Sequence, residues 1–407
     1  MSVQHLAGES APALPAVRWI SLIGLTLALA FIVVLAGAWF GGTWLTDAQG
    51  RPIVNDFVDV WAAGRLALDG HAASAYDWTL HKAAEIRAVG HDFENYYGWH
   101  YPPTFFFAAA ALALLPYSTA ALIWLGLTLP AYIAAVRGIL GERAGLFVAL
   151  GSPAVLWNVT AGQNGFLTAA LIGGTLGLMQ QRPMLSGICL GLLAYKPHFG
   201  LLFPIALIAG AQWRAIVGAT FTSAGMAALS VFAFGLASWQ AFFEWMPVTS
   251  RVVLGAGAAD WSRLQSLFGF VRALGGSEAL AWSAQAALAL VLAAAIAWLW
   301  RSRVAFELKA ASLACAALLA TPYLYIYDLV ALTVPTAFLL RLALARGFLA
   351  SEVAGIGAAV ALLLSYPYAK TQVGLAATMI VAALVAYRVI MTRNSVTGIA
   401  AQPPHTR

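Results

Sequence analysis

Thirteen apolar runs of helical length, separated by short turns, dominate this sequence. They span Ile20–Phe40 and roughly 102–115, 119–136, 144–158, 165–180, 184–195, 199–210, 215–235, 281–300, 310–322, 329–343, 353–368 and 372–391. Only 9% of the 407 residues are charged, against about 25% in an average soluble domain. So few charges cannot clothe a soluble globule, and a chain this apolar is not disordered. The runs are continuous and lack the alternation of an outer-membrane barrel. The expected fold class is therefore all-α, a polytopic transmembrane helical bundle. A single membrane domain is expected over 20–391, between a leader at 1–19 and a cytoplasmic tail at 392–407. Two polar stretches, 41–100 and 236–280, interrupt it, and no internal repeat is visible.

The scarce charge is unevenly placed. Eight of the sixteen acids, from Asp47 to Glu94, fall in the 41–100 stretch beside only Arg51, Arg65, Lys82 and Arg87. The remaining basic residues sit mostly in short turns: Arg137/Arg143, Arg182, Arg214, Arg301/Arg303/Lys309, Arg341/Arg346 and Arg388/Arg393. Lys and Arg in short turns mark the cytoplasmic side. The net charge of +6 thus reports topology, and nucleic-acid binding is not indicated. This orientation puts 41–100 and 236–280 outside the cell's inner (plasma) membrane. An odd number of crossings cannot return both ends to one side. The run 144–158, broken by Gly151-Ser152-Pro153, is expected to be the re-entrant one among the three runs from 102 to 158, leaving about twelve crossings.

Within 41–100, residues 56–68 read as an amphipathic helix. Phe57, Val60, Trp61, Gly64 and Leu68 recur at the spacing of one helical face, as in helices that lie on a membrane surface. Asn55 is placed to cap it, leaving Asp56 and Asp59 in a dipole-favoured first turn. Trp78–Val89 reads as a second helix.

The outward-facing ends gather Asp56, Asp59, His100-Tyr101-Pro102-Pro103, Gly162-Gln163-Asn164, Lys196-Pro197-His198 and Tyr323–Asp328, including Tyr327. Ionisable residues at membrane depth are costly and default to functional candidates. Lys196 stands out, because it breaks two apolar runs on the side where positive charge is disfavoured. One reading is a lysine snorkelling at a helix end; the other is a phosphate ligand, with His198 as a partner donor. Gln163 and Asn164 also suit a helix cap, and Asp328 a dipole-favoured helix start. His100, His198 and Asp56 lack the paired-histidine spacing of a metal site, so no metal or other cofactor is expected. Cys189 and Cys315 form no disulfide or metal pattern.

In order and spacing, Asp56-Phe57, Trp61-Ala62-Ala63-Gly64-Arg65, Gly70, Tyr76-Asp77, Tyr101-Pro102-Pro103, Gly162-Gln163-Asn164, Lys196-Pro197-His198 and Tyr327-Asp328 resemble glycosyltransferase family 87. The resemblance spans roughly 50–340. It implies a GT-C fold, in which the first large extracytoplasmic loop carries the catalytic acid. It also implies a polyprenyl-phosphate sugar donor, a lipid or glycan acceptor, contact with membrane lipids, and transfer with inversion. Asp56 matches the family's acid and is the expected base, while Asp59 falls where the family varies. Lys196 and His198 would hold the donor phosphate. Asp59, His100, Tyr101, Gln163, Asn164, Tyr327 and Asp328 would line the sugar and acceptor.

Elementary chemistry agrees with that implication. Inverting transfer needs one carboxylate to take the acceptor's proton, and a phosphate leaving group needs no second acid of the glycosidase kind. It does need positive charge or hydrogen-bond donors where its own charge develops. The expected activity is hexosyl transfer, with mannose the expected sugar. The rival expectation is a transporter or lipid-linked-sugar flippase. Such proteins place ionisable groups near the midplane on broken helices, often in related halves; here those groups gather at one face.

Overall fold

A computed structural model describes residues 13–95, 97–257 and 260–400. It is helical throughout, with no strand among the described residues. The first helix, α1 (Ala13–Phe40), begins inside the expected leader, whose residues 1–12 lie outside the described part. Two helices follow in the polar stretch, α2 (Phe57–Leu68) and α3 (Trp78–Val89). Asp77 starts α3 by accepting from the backbone N–H groups of Thr79 and Leu80 at 2.9 Å, and Gly90 ends it in the left-handed region.

The bundle continues with α4 (Phe106–Leu112), α5 (Tyr117–Leu140), α6 (Glu142–Leu150) and α7 (Pro153–Ala161). Next come α8 (Gly165–Leu178), α9 (Pro183–Leu192), α10 (Phe203–Ala209) and α11 (Trp213–Phe234). The second polar stretch holds α12 (Leu236–Ser250) and α13 (Leu267–Ala273). The chain closes with α14 (Glu278–Arg301), α15 (Phe306–Ala320), α16 (Thr333–Arg346), α17 (Ala350–Ala369) and α18 (Val373–Ala400). The tail expected from 392 is helical as far as Ala400, and 401–407 lie outside the described residues.

Among the described residues, seven helices are long and apolar enough to cross a membrane, or eight if the kinked pair α6–α7 is one span. The chain is a multi-pass membrane protein. The expected dozen crossings is not reached by helix length, for a geometric reason. Several predicted runs fold as pieces such as Gly165–Leu178 and Pro197–Ala209, and at ~1.5 Å per residue these fall short of a ~30 Å hydrocarbon core. The break in the 144–158 run falls where Ser152 and Pro153 interrupt the helix, and the two arms meet at 56°.

The amphipathic expectation for α2 is corrected. Phe57, Val60 and Gly64 of the predicted face are buried, but so are Val58, Asp59, Ala62, Ala63 and Leu66 on the others. Instead of lying on a membrane surface, α2 is wedged between α3 and α4, and Leu68 at its end is exposed. Trp61 fixes it by donating its indole N–H to the Leu115 carbonyl at 2.8 Å. At the middle of the bundle is α15, buried from Ala310 through Ala320 apart from Ser312.

Candidate active site

The residues able to do chemistry come from five segments at helix ends and turns. Asp56 immediately precedes α2, which begins at Phe57, one residue after the start expected from sequence. The Asn55 side chain accepts from the Phe57 N–H at 3.0 Å and from the Tyr117 hydroxyl at 3.0 Å, which pins the turn in place. The Asp56 side chain makes no capping bond to its own helix. It accepts instead from Gln163 Nε2 at 3.2 Å.

Gln163 reaches Asp56 because Gly162 ends α7 with φ +68°. A Cβ there would stand 2.9 Å from Phe57 Cβ and 3.0 Å from Asn55 Oδ1, so a side chain would force the two turns apart. Asn164 starts α8 without capping it, and its amide donates to the Tyr101 hydroxyl at 2.8 Å. The Tyr101 hydroxyl also lies 3.4 Å from Gln163 Oε1. Tyr101 is set by the extended Pro102 and the tight turn at Pro103–Phe105. Its ring packs against Trp99 and Phe105 at centroid distances of 5.0 and 4.9 Å.

Lys196 stands between two tight turns, Leu193–Tyr195 and Pro197–Gly200, in a non-helical conformation. A proline disfavours helix at the residue before it, so the chain breaks here and the lysine enters the interior. Its ammonium pairs with Asp328 Oδ1 at 2.7 Å. Asp328 in turn accepts from the Tyr325 backbone N–H at 3.3 Å through its other oxygen. Tyr327, stacked on Tyr325 at 5.4 Å, lies with its ring centroid 5.5 Å from the Lys196 ammonium.

The structure thus joins Asp56, Tyr101, Gln163 and Asn164 in one network, and Lys196, Asp328 and Tyr327 in a second. His198 sits beside Lys196 in the chain; its Nε2 is buried and finds no partner among the described residues. Asp59 is buried behind Asp56, its Oδ1 unpartnered among the described residues. His100 is exposed, its Nδ1 3.0 Å from Thr249 Oγ1 on α12, and it has no bond to either network. Further open valence lies at Asn164 Oδ1, also buried without a partner among the described residues.

Burial pushes the Asp56 carboxyl above the usual carboxylate range, while the Gln163 hydrogen bond and the positive charges of Arg263 and Lys196 pull it back. Asp59 is pushed up much further, by burial first and then by the charges of Asp56 and Glu85. Asp56 is only half-buried, so of the two it is the carboxylate a substrate can reach.

Two contributors were not read from sequence. Arg263, in the 236–280 stretch, adds its positive charge to that of Lys196 in pulling the Asp56 carboxyl back down. The signal existed, since an arginine on the side poor in basic residues is the anomaly that singled out Lys196. The second is the His81/Glu85 pair on α3, both fully buried with ring and carboxylate 3.6 Å apart. The sequence predicts this helix but gives these two residues no role. Among the described residues, no three His, Cys, Asp or Glu side chains stand close enough to hold a metal ion.

The structure is thus a multi-pass helical bundle with a half-buried carboxylate and a buried lysine gathered at its helix ends. The sequence model of glycosyltransferase family 87 matches residues 99–322, more than half of the chain. The protein belongs to that family and is a membrane glycosyltransferase. Among curated proteins and solved structures, nothing matches the chain.

Proposed function

We propose that this enzyme moves a hexose, with mannose the expected sugar, from a polyprenyl-phosphate donor to a lipid or glycan acceptor. The reaction inverts the anomeric centre, on the extracytoplasmic side of the plasma membrane and within a GT-C type fold. Asp56 is the general base. Its carboxylate accepts the proton of the acceptor hydroxyl as that oxygen bonds to the anomeric carbon. The bond from the anomeric carbon to the phosphate oxygen breaks, and its electron pair leaves with polyprenyl phosphate. The phosphate end belongs near the cationic side of the site, with His198 Nε2 as a free hydrogen-bonding group beside Lys196. Tyr101, Gln163 and Asn164, with Asp328 and Tyr327 opposite, suit sugar hydroxyls.

The observation that carries this reading is the environment of Asp56: half-buried, held by one hydrogen bond from Gln163 at 3.2 Å, and facing the charges of Arg263 and Lys196. One carboxylate beside positive charge is what an inverting transfer from a phosphate donor needs. The test is transfer of labelled sugar from a polyprenyl-phosphate hexose by purified protein, with product anomeric configuration assigned by NMR. Formation of an inverted glycoside is expected. Movement of intact lipid-linked sugar across proteoliposomes, with no glycosidic bond made or broken, would overturn the reading in favour of a flippase.

A further inference from the structure

The cation expected to meet the donor phosphate, Lys196, is already occupied by Asp328 at 2.7 Å. The second polar stretch offers three others. Arg251 lies with its Nε 3.4 Å from the Pro247 carbonyl. Arg272 is spent on the loop itself, donating to the carbonyls of Gly276 and Gly255 at 2.9 and 3.1 Å while its guanidinium stacks on Trp261. Arg263 is exposed, and among the described residues its guanidinium has no hydrogen-bond partner and no carboxylate within ion-pair distance.

The backbone that carries Arg263 is fixed. Asp260 accepts from the Ser262 N–H at 3.0 Å, and Gln372 donates to the Trp261 carbonyl at 2.8 Å. Leu264 pairs in antiparallel fashion with Tyr325, and the Gln265 N–H donates to the Leu324 carbonyl at 2.6 Å. The Gln265 side chain donates to the Ser262 carbonyl at 2.6 Å and accepts from the Gly374 N–H at 2.7 Å. These bonds tie the loop to the segment that bears Tyr327 and Asp328. The charge of Arg263 acts on Asp56, Tyr97 and Tyr325 together. A free guanidinium on a loop anchored to the Leu324–Tyr325 backbone, next to Tyr327 and Asp328, is open to a ligand.

We infer that Arg263 is the side chain that grips the phosphate of the lipid-linked sugar donor, while Lys196 holds Asp328 in place beneath it. The inference rests on the transfer reading and deepens it. A polyprenyl-phosphate sugar carries one negative charge on its phosphodiester; when the sugar leaves, the phosphate monoester carries two. A guanidinium, which binds phosphate oxygens in pairs, therefore grips the leaving group harder as the bond breaks.

Equilibrium binding of a short-chain polyprenyl phosphate to the purified full-length protein tests this, with the matching uncharged polyprenol and inorganic phosphate as separate arms. Wild type should prefer the phosphate to the alcohol, and millimolar inorganic phosphate should not displace it. In R263Q the phosphate should bind about 10- to 100-fold more weakly, with polyprenol binding unchanged, and R263K should recover much of the loss. Unchanged phosphate binding in R263Q would overturn the role of Arg263 and leave the transfer reading standing. A wild type indifferent to the phosphate would overturn both. Displacement by inorganic phosphate alone would mark a free-anion site and overturn the donor assignment.

Discussion

The Lys196 ammonium and the Asp328 carboxylate meet at 2.7 Å with their side chains only 7% and 1% exposed. This pair clamps the turn between α9 and α10 to the segment that leads into α16. Removing one partner strands a buried charge, at a cost of ~3–5 kcal/mol, whereas removing both leaves none. K196M and D328L should each lower the melting temperature of the purified protein markedly, and K196M/D328L should lose less than the sum of the two. Additive losses in that double-mutant cycle would show that the pair is not coupled.

Asp56 is more exposed than its neighbour Asp59, and its replacement by asparagine keeps the size and removes the proposed base. D56N should lower turnover by about 10²- to 10⁴-fold with donor binding and melting temperature nearly unchanged. D59N, altering a carboxyl buried behind it, should be much milder in the same assay. Near-normal turnover in D56N would transfer the base role elsewhere.

The helices were legible in the sequence wherever apolar runs were long, and α3 was found to the residue because Asp77 and Gly90 mark its ends. The surface placement of α2 was not legible as wrong, since periodicity shows which residues share a face but not how many faces are covered. Val58, Ala62 and Ala63 are small or apolar enough to sit on either a wet or a packed side. Within the candidate site, Asp56, Tyr101, Gln163, Asn164, Lys196 and Asp328 were all visible as polar residues at apolar-run ends. Their partners were not: Asp328 as the counter-ion of Lys196 lies 132 positions away, and no local pattern encodes such a contact. Arg263 carried the same signal as Lys196, a positive charge on the side poor in basic residues, but no apolar run flanks it to make the charge stand out.

Gly165 separates the start of α8 from the Tyr327 carbonyl, and a Cβ there would collide with that carbonyl and stand 2.6 Å from Asn158 Oδ1. The Gly165 N–H donates to that same Asn158 oxygen at 2.8 Å. G165A should therefore push the Tyr327–Asp328 segment away from Gln163 and Asn164, at a typical overpacking cost of ~1–3 kcal/mol. The expected result is at least a roughly tenfold fall in kcat/KM with unchanged far-UV circular dichroism. Full activity in this variant would mean that the two networks need not be held together.

Glu85 on α3 is pushed up to about 8 by burial, with Lys82 3.8 Å away pulling it only partly back. Its neighbour His81 is pushed down to about 3, again chiefly by burial, and stays neutral over the working range. Between the ordinary glutamate value of 4.5 and about 8, the unfolded chain loses this proton and the folded one keeps it. The Glu85 contribution to stability therefore falls as pH rises through that window, by at most ~1.4 kcal/mol per pH unit. His81, charged in the unfolded chain below 6.5 but neutral in the fold, works the other way up to that pH. Melting curves from pH 4.5 to 8.5 should show wild type losing stability relative to E85Q as pH rises. Parallel profiles would mean that Glu85 is ionised in the fold.

With Asp56 as the proposed base, Gln163 should set the pH at which it works. Its amide donates to Asp56 Oδ2 at 3.2 Å, opposing the upward push of burial on that carboxyl. A base must be unprotonated to act, so activity is lost as pH falls through the Asp56 value. Removing the donor with Q163L leaves burial less opposed and moves that value higher. The acid limb of the kcat/KM profile should therefore shift to higher pH in Q163L, with the plateau reached only under more alkaline conditions. Q163E, which sets a second carboxylate against Asp56, should shift the limb further in the same direction. A limb that stays in place in both variants would mean that Asp56 is not the group whose protonation limits the rate.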